Sequence, residues 1–209
     1  MDKKNDEKLI EEELIHKGKF LSFWHYKFKN KEGTQSIWET IIRVANYVIT
    51  GSKVIPIGIS KSKNKRFIIV IANFRIPIKK YVIEFPAGIN EATDKEGERA
   101  LIELKEETGY KGELSKMIQA SSVYSYTDPW KSNDRDRIYY CEIDLDDIEN
   151  QSPKQHTEKE EDIKVFLIDE SNFYEEVLKL KEENNFEIEN SVYFFAQGLR
   201  YSKIQKLNS

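Results

Sequence analysis

The chain has 209 residues, of which 39% are hydrophobic and 33% are charged, and its formal net charge is −4. This length and apolar fraction predict a folded protein of one large or two small domains and exclude a disordered one. Charges of both signs, without a basic stripe, argue against a nucleic-acid-binding protein. No apolar run approaches the roughly 20 residues that span a bilayer, so no membrane segment is predicted.

The cysteine content and the N-terminus predict the compartment. Cys141 is the only cysteine, which excludes an internal disulfide and is typical of a reducing compartment. Residues 1–13 are charged and lack the apolar core of an export signal. A cytoplasmic protein is therefore expected. The three histidines are far apart in the sequence, so a metal site would have to be built from carboxylates.

The N-terminal part is predicted to contain a polar leader over 1–18, with a short helix near Leu9–Ile15, and then a β-hairpin subdomain over 19–50. Runs rich in aromatic and β-branched residues, separated by turn residues, predict paired strands. These runs are Phe20–Phe28, Ser36–Thr50, Lys53–Ile59 and Arg66–Phe74.

The remainder, 51–209, is predicted to mix strands and helices. Helical periodicity extends over Lys95–Thr108 and stops at Gly109, which suits the left-handed position after a helix. Further strands are predicted at Tyr81–Phe85, Arg137–Asp144 and Ile163–Ile168, and closing helices at Asn172–Glu183 and Glu189–Lys206. This order of elements predicts an α+β sandwich preceded by the N-terminal β subdomain.

Three carboxylates share one face of the first predicted helix. Glu103, Glu106 and Glu107 are spaced i, i+3 and i+4, so their side chains lie together and repel one another. A hard divalent cation, which prefers oxygen ligands, would offset that repulsion. The alternative is a solvated acidic face, which is what most Glu-rich helices have.

The residues around this helix resemble the Nudix box, in which a glycine, five residues, a glutamate and seven residues precede Arg-Glu-aliphatic-any-Glu-Glu-any-Gly-aliphatic. The chain keeps this spacing without a gap over 88–110, from Gly88 to Glu103-Leu-Lys-Glu-Glu-Thr-Gly109-Tyr110. The resemblance implies a Nudix fold, an α/β/α sandwich with a mixed sheet. It also implies that Mg²⁺, or Mn²⁺ in its place, is bound by Ala87, through its carbonyl, and by Glu103, Glu106 and Glu107.

Two positions depart from the box. Asp94 stands where the box has glutamate, which is a mild change. Ile102 stands where the box has an arginine that can hold the first carboxylate of the Glu-Glu pair, which isoleucine cannot do. Arg99 lies on the carboxylate face, and we expect it to pair with Glu103 or Glu106 and partly replace the missing arginine. The alternative is that Arg99 is an ordinary solvated residue.

Outside the box the chain resembles the ADP-ribose (ADP-sugar) pyrophosphatase branch, over roughly Lys19 to Tyr201. Phe74-Arg75 and Ile83-Glu84-Phe-Pro-Ala-Gly88 look like that branch's arginine-containing strand and its entry to the box. Trp38-Glu39 followed by Arg43 looks like its N-terminal element. Asp128-Pro129 followed by Ser132 is similar to its loop after the box, with Trp130 in place of glycine. Phe20 falls near the position of the branch's second adenine-stacking tryptophan.

The resemblance implies roles for these residues. Trp38 and Phe20 would stack on adenine, the arginines would bind phosphate, and Glu161 in the acidic run 158–162 would activate the attacking water. The substrate-binding set is then Phe20, Trp38, Glu39, Arg43, Arg75, Glu84, Gly88 and Asp128. The alternatives are that the aromatic residues pack in a core, that the arginines are solvated, and that the acidic run is a solvated loop.

The function implied is metal-dependent hydrolysis of the pyrophosphate bond of ADP-ribose or a related ADP-sugar to AMP and a sugar phosphate. The branch exchanges its N-terminal strands between protomers, which implies a homodimer. Two alternatives remain: a catalytically weakened Nudix-fold protein that binds nucleotides or other proteins, and a Nudix hydrolase of another nucleoside diphosphate derivative. Ile102 favours the first alternative, whereas the intact set of three glutamates favours a hydrolase.

Overall fold

The structure is a computed structural model that describes residues 8–44, 51–90, 93–95, 97–118, 123–159 and 161–207. Its internal contacts divide the chain into two units. The first unit comprises Met1–Gly51 and Val123–Asp136, and the second comprises Ser52–Ser122 and Arg137–Ser209. Within the described ranges, every helix is too short or too polar to cross a membrane.

Strands and helices alternate along the chain after a β-rich N-terminal part. The strands are β1 (Leu9–Lys17), β2 (Leu21–Lys29), β3 (Gln35–Arg43), β4 (Gly51–Ser60), β5 (Lys65–Arg75), β6 (Lys80–Glu84), β7 (Ala87–Ile89), β8 (Glu113–Leu114), β9 (Ser125–Tyr126), β10 (Arg135–Asp144), β11 (Ile163–Asp169) and β12 (Glu187–Ile188). The helices are α1 (Glu98–Thr108), α2 (Phe173–Asn184) and α3 (Asn190–Leu207), with short 3₁₀ turns at Ile148–Asn150 and Glu170–Asn172.

The first unit contains the antiparallel sheet β1-β2-β3. The predicted hairpin forms β2 and β3, which pair from Leu21 opposite Arg43 to Lys29 opposite Gln35. Gly33 in the turn has φ +78°, a conformation that glycine adopts without strain. This sheet confirms the predicted N-terminal hairpin, although the end of the predicted strand, residues 45–50, lies outside the described residues.

The predicted helix near Leu9–Ile15 is wrong, because this segment is strand β1, which pairs with β2. Its two apolar pairs, Leu9-Ile10 and Leu14-Ile15, fit neither a helical nor a strict strand period. A helix of so few residues is only marginally stable in isolation. The edge of β2 offers a row of backbone donors and acceptors, and pairing with that edge decides the structure of the segment.

The second unit is built on a mixed sheet in the order β12-β6-β5-β4-β10-β8, with β7 paired to β4 and β11 paired to β5. β12 is parallel to β6, whereas β4, β6 and β11 are antiparallel to β5. The predicted long strands are confirmed. The short strands β7, β8, β9 and β12 were not predicted, because two or three residues are too few to show a periodic pattern.

Side chains of β5 alternate between two apolar layers. Ile68 and Val70 pack with residues of α2 and α3, and Ile69, on the other face of the sheet, packs with Ala100 and Leu104 of α1. Helices therefore cover both faces of a mixed sheet, which confirms the predicted α/β/α fold class.

Helix α1 ends where the sequence predicts. Gly109 has φ +77° and donates its backbone N–H to the carbonyl of Lys105. A Cβ on Gly109 would also lie 2.5 Å from the backbone nitrogen of Lys154. The glycine is therefore needed both for its left-handed conformation and for the close approach of the chain around Lys154.

Candidate active site

The first glycine of the box lets a carboxylate approach the backbone of β7. A Cβ on Gly88 would overlap the carboxylate group of Glu103, whose side chain is only 14% exposed. Residue 88 therefore has to be glycine if the Glu103 carboxylate is to lie where it does.

Glu107 is buried on the same side of α1. Its side chain accepts a hydrogen bond of 3.0 Å from the backbone N–H of Ala87, and only 3% of the residue is exposed. Ala87, Gly88, Glu103 and Glu107 are thus brought together by the packing of α1 on β7. Glu106, the third carboxylate of the predicted set, is exposed.

Burial raises the pKa of both inner carboxyl groups. The pKa of Glu107 rises from 4.5 to about 9, first because of burial and then because of the charge of Glu103, while the Ala87 N–H lowers it. The pKa of Glu103 rises to about 7 through burial, opposed by the charge of Arg99. Nearby positive charge therefore compensates the two inner carboxyl groups only in part, as at many functional sites.

The donor set fits a hard divalent cation that shares its coordination with substrate. Among the described residues no group of three or more His, Cys, Asp and Glu side chains is already arranged to hold a metal ion. Mg²⁺ commonly takes only one or two carboxylates and completes its octahedron with water and substrate phosphates. The inner pair Glu103 and Glu107, beside the backbone of Ala87, matches this smaller requirement.

Arg99 connects Asp94, one of the two departures from the box, with Glu103. Its guanidinium binds Asp94 through Nε (2.9 Å) and Nη2 (3.2 Å), and Nη1 lies 3.8 Å from the Glu103 carboxylate. The pairing of Arg99 with Glu103 is therefore confirmed. The bridge to Asp94 was not predicted, because these residues are five apart in sequence and Asp94 lies outside α1.

The loop before β11 places a further carboxylate near the pair. The Glu161 side chain accepts a hydrogen bond of 3.0 Å from the backbone N–H of Glu158. The negative charge of Glu161 contributes to the raised pKa of Glu103 and of Glu107. The loop residue chosen from the sequence therefore lies within electrostatic range of the box carboxylates.

Arg75 and Glu84 form a bidentate pair. Nε of Arg75 lies 2.8 Å from one Glu84 oxygen and Nη2 lies 2.5 Å from the other. The Glu84 side chain is 11% exposed and that of Arg75 is 49% exposed, so the carboxylate anchors the guanidinium while the arginine still reaches solvent. Glu84 thus positions Arg75 through Nε and Nη2.

In the first unit, the loop 127–134 lies along β3. The indole N–H of Trp38 donates to the carbonyl of Trp130 (2.7 Å), and Thr40 donates to the carbonyl of Lys131 (2.8 Å). Arg43 pairs with Asp134 at 2.9 Å. Two segments about ninety residues apart in sequence, both named by the resemblance, are therefore adjacent in this unit.

The remaining predicted residues of the first unit take separate positions. Strand alternation places Trp38 on one face of the sheet and Glu39 on the other, where Glu39 lies 3.5 Å from His25. The Asp128 carboxylate pairs with Lys131 at 2.6 Å. Phe20 is exposed, and its carbonyl accepts a hydrogen bond from the backbone N–H of Val44. Trp38 lies opposite Tyr26 in the pairing of β2 with β3.

Comparison with known proteins gives the family. No protein-family profile matches the chain. The chain is 30% identical over 181 residues to an uncharacterized Nudix hydrolase of Schizosaccharomyces pombe, covering 87% of this chain and 86% of that protein. The chain belongs to the Nudix hydrolases.

A second relative and a solved structure are also similar to this chain. This Nudix hydrolase is 28% identical over 193 residues to the ADP-sugar pyrophosphatase of Mus musculus, covering 91% of this chain and 86% of that protein. Its fold is similar to a crystal structure of an ADP compounds hydrolase, with a TM-score of 0.62, 14% identity and coverage of 93% and 94% of the two chains. The predicted family and fold are confirmed.

We predict that, in chelator, the Nudix hydrolase becomes less stable as the pH rises from about 5 to about 9. The folded chain keeps a proton on Glu107 (pKa about 9) that the unfolded chain, with an ordinary pKa of 4.5, has lost. The free energy of unfolding therefore falls with pH in this window. Glu107→Gln should remove most of the slope and raise the melting temperature at pH 8.

Melting temperatures measured by calorimetry at several pH values test this expectation. The control is Glu183→Gln, which changes an exposed glutamate on α2 and should keep the wild-type slope. A wild-type melting temperature that is flat or rises over this pH range would contradict the prediction.

Proposed function

We propose that this Nudix hydrolase cleaves the pyrophosphate bond of ADP-ribose or a related ADP-sugar in the presence of Mg²⁺, giving AMP and a sugar phosphate. The observation that carries the proposal is the pair of buried carboxylates, Glu103 and Glu107, held beside the backbone of Ala87 and Gly88. The substrate class is supported by the likeness to a relative named ADP-sugar pyrophosphatase.

Glu103 and Glu107, with Glu106 and the carbonyl of Ala87, would hold Mg²⁺, and Mn²⁺ would be accepted by the same oxygen ligands. When bound, the cation supplies positive charge to the diphosphate and lowers the pKa of the attacking water. Glu106 is the exposed member of this set. The raised pKa of the inner pair means that binding displaces a proton.

Two further side chains near Glu103 and Glu107 would take part in the reaction. Glu161 would accept a proton from the attacking water as general base. Arg75, fixed by Glu84, would direct its remaining N–H groups to a phosphate oxygen. Attack at one phosphorus forms a new P–O bond while the bridging P–O bond breaks, and both products leave with terminal phosphates.

Adenine would be bound by the aromatic residues of the first unit. Trp38 is 47% exposed and Phe20 is 68% exposed, as a stacking role requires. Phe20 lies six positions before Tyr26, the residue opposite Trp38, so the two rings are separated by roughly 20 Å along the sheet of one chain. A clamp that uses both rings therefore needs a second copy of the chain.

This geometry favours a homodimer with the first unit at its interface. Apolar side chains of β1 are exposed on one chain, among them Leu9, Ile10, Leu14 and Ile15. Burying them would stabilise a dimer by about 25 cal/mol per Å² of apolar surface. Light scattering at micromolar concentration should give twice the chain mass of 24.7 kDa, and Leu14→Asp should shift the mass toward one chain. A wild-type monomer would contradict the dimer.

A catalytically weakened nucleotide-binding protein is the second candidate, and Ile102 is the observation that favours it. The arginine of the box is absent, and the pairing of Arg99 with Glu103 is long, at 3.8 Å. In our proposal Arg99, held by Asp94, orients Glu103 sufficiently for turnover. The cytoplasmic location inferred from the cysteine content stays a prediction.

Release of monophosphate products from a panel of ADP-ribose, ADP-mannose, a dinucleotide and an oxidised nucleotide, followed by chromatography, tests the function. We expect Mg²⁺-dependent release that is fastest for an ADP-sugar and that chelator abolishes. Glu107→Gln should lower kcat at least about a hundredfold, because it removes a ligand charge from the transition state. Arg99→Ala should clearly lower kcat and should change the melting temperature only slightly.

The control variant for this assay is Glu183→Gln, which should retain wild-type kcat. If the wild type is inactive on every compound and only Ile102→Arg turns over substrate, the binding protein is the correct assignment. Faster hydrolysis of a compound that is not an ADP-sugar would support the proposed hydrolase activity and contradict the proposed substrate.

A further inference from the structure

One side chain ties the loop before β11 to the end of the box helix. The Nε2 amide of Gln155 donates to the carbonyl of Glu107 (2.7 Å) and to the carbonyl of Ile163 (3.2 Å). The first acceptor belongs to the last turn of α1 and the second to the first residue of β11. Gln155 therefore connects the start of the loop before β11 both to α1 and to β11.

Backbone contacts on the same turn of α1 fix the loop's entry. The N–H of His156 donates to the carbonyl of Glu106 (2.8 Å). The backbone of Lys154 lies so close to Gly109 that only glycine fits there. The carbonyls of a last helical turn lack partners within the helix, so these N–H groups satisfy acceptors that would otherwise bind water. The start of the loop is thus in contact with the turn of α1 that contains Glu106 and Glu107.

The far end of the loop is joined to the strand of Arg75. Asp162 accepts the backbone N–H of Phe74 through its carbonyl (3.3 Å), and Ile163 pairs with Asn73 on β5. Between these anchors the N–H of Glu158 binds the carboxylate of Glu161. The position of Glu161 relative to Glu103 and Glu107 is therefore set by how the loop is held at its base.

We propose that Gln155 is a positioning residue. It holds the loop that carries Glu161 in its position relative to the carboxylates of Glu103 and Glu107. The inference rests on the proposed function, in which Glu161 accepts the proton of the attacking water. Gln155 is itself exposed, so its amide contributes little to the stability of the fold. Its effect is on geometry, and misplacement of a reacting group by about 1 Å can lower a rate by about a hundredfold.

The test compares Gln155→Met with Gln151→Met. Methionine has nearly the length of glutamine and cannot donate a hydrogen bond. Gln151 matches Gln155 as an exposed glutamine whose amide donates to a backbone carbonyl, that of Asp146 (3.3 Å), which is unconnected with α1. We expect Gln155→Met to lower kcat for ADP-ribose by about ten- to a hundredfold with KM within about twofold. Gln151→Met should leave both constants unchanged.

A double-mutant cycle separates positioning from a general effect on the fold. In a Glu161→Gln background the base is already lost, so Gln155→Met should cause little further loss of kcat. Gln155→Asn, which keeps the amide, should recover part of the rate. An equal loss of kcat in both backgrounds, or equal effects of the two methionine variants, would overturn the inference.

Hydrogen exchange tests the inference without any turnover. In Gln155→Met the amides of His156 and Glu158 should exchange at least about tenfold faster than in the wild type, while those of α1 keep their protection. Unchanged exchange at these two amides overturns the inference whatever the activity. If the wild type hydrolyses no ADP-sugar but these amides do exchange faster in Gln155→Met, the proposed function fails and the loop anchor stands.

Discussion

Much of the candidate site depends on the close contact between one face of α1 and the backbone of β7. Glu107 is buried there with the N–H of Ala87 as its hydrogen-bond donor, and Gly88 leaves room for the carboxylate of Glu103. Apolar packing of Ala100 and Leu104 under α1 holds this face against the sheet. The fold thus supplies the free energy that keeps the two carboxyl groups together. Burial raises the pKa of both, and the charge of Glu103 raises the pKa of Glu107 further.

Two arginines place positive charge near the carboxyl groups of Glu103 and Glu107. Arg99 stands between Asp94 and Glu103 and lowers the pKa of Glu103, although burial raises it more. Arg75, held by Glu84, places a second positive charge near Glu107. Neither arginine neutralises the pair, as the pKa of about 9 for Glu107 shows. In the proposed function, a divalent cation that carries a diphosphate would supply the further positive charge.

Much of this arrangement could be predicted from the sequence. The box spacing located α1, its carboxylate face and the glycines at both ends, because each depends on local geometry. The strand β1 and the short strands could not be predicted, since pairing with distant segments decides them. The bridges of Arg99 to Asp94, and of Gln155 to Glu107 and Ile163, also join residues inside regular elements to residues outside them. No periodic pattern records such contacts.

The most direct test of the central claim is the number of protons released when Mg²⁺ binds. Titration calorimetry at pH 7.5, in two buffers of different ionisation enthalpy, measures this number. Because the pKa of Glu107 is about 9, the wild type should release about one proton per cation, and Glu107→Gln should release far less. Binding of Mg²⁺ without proton release, or with the same release in Glu107→Gln, would contradict the assignment of the buried pair as the cation site.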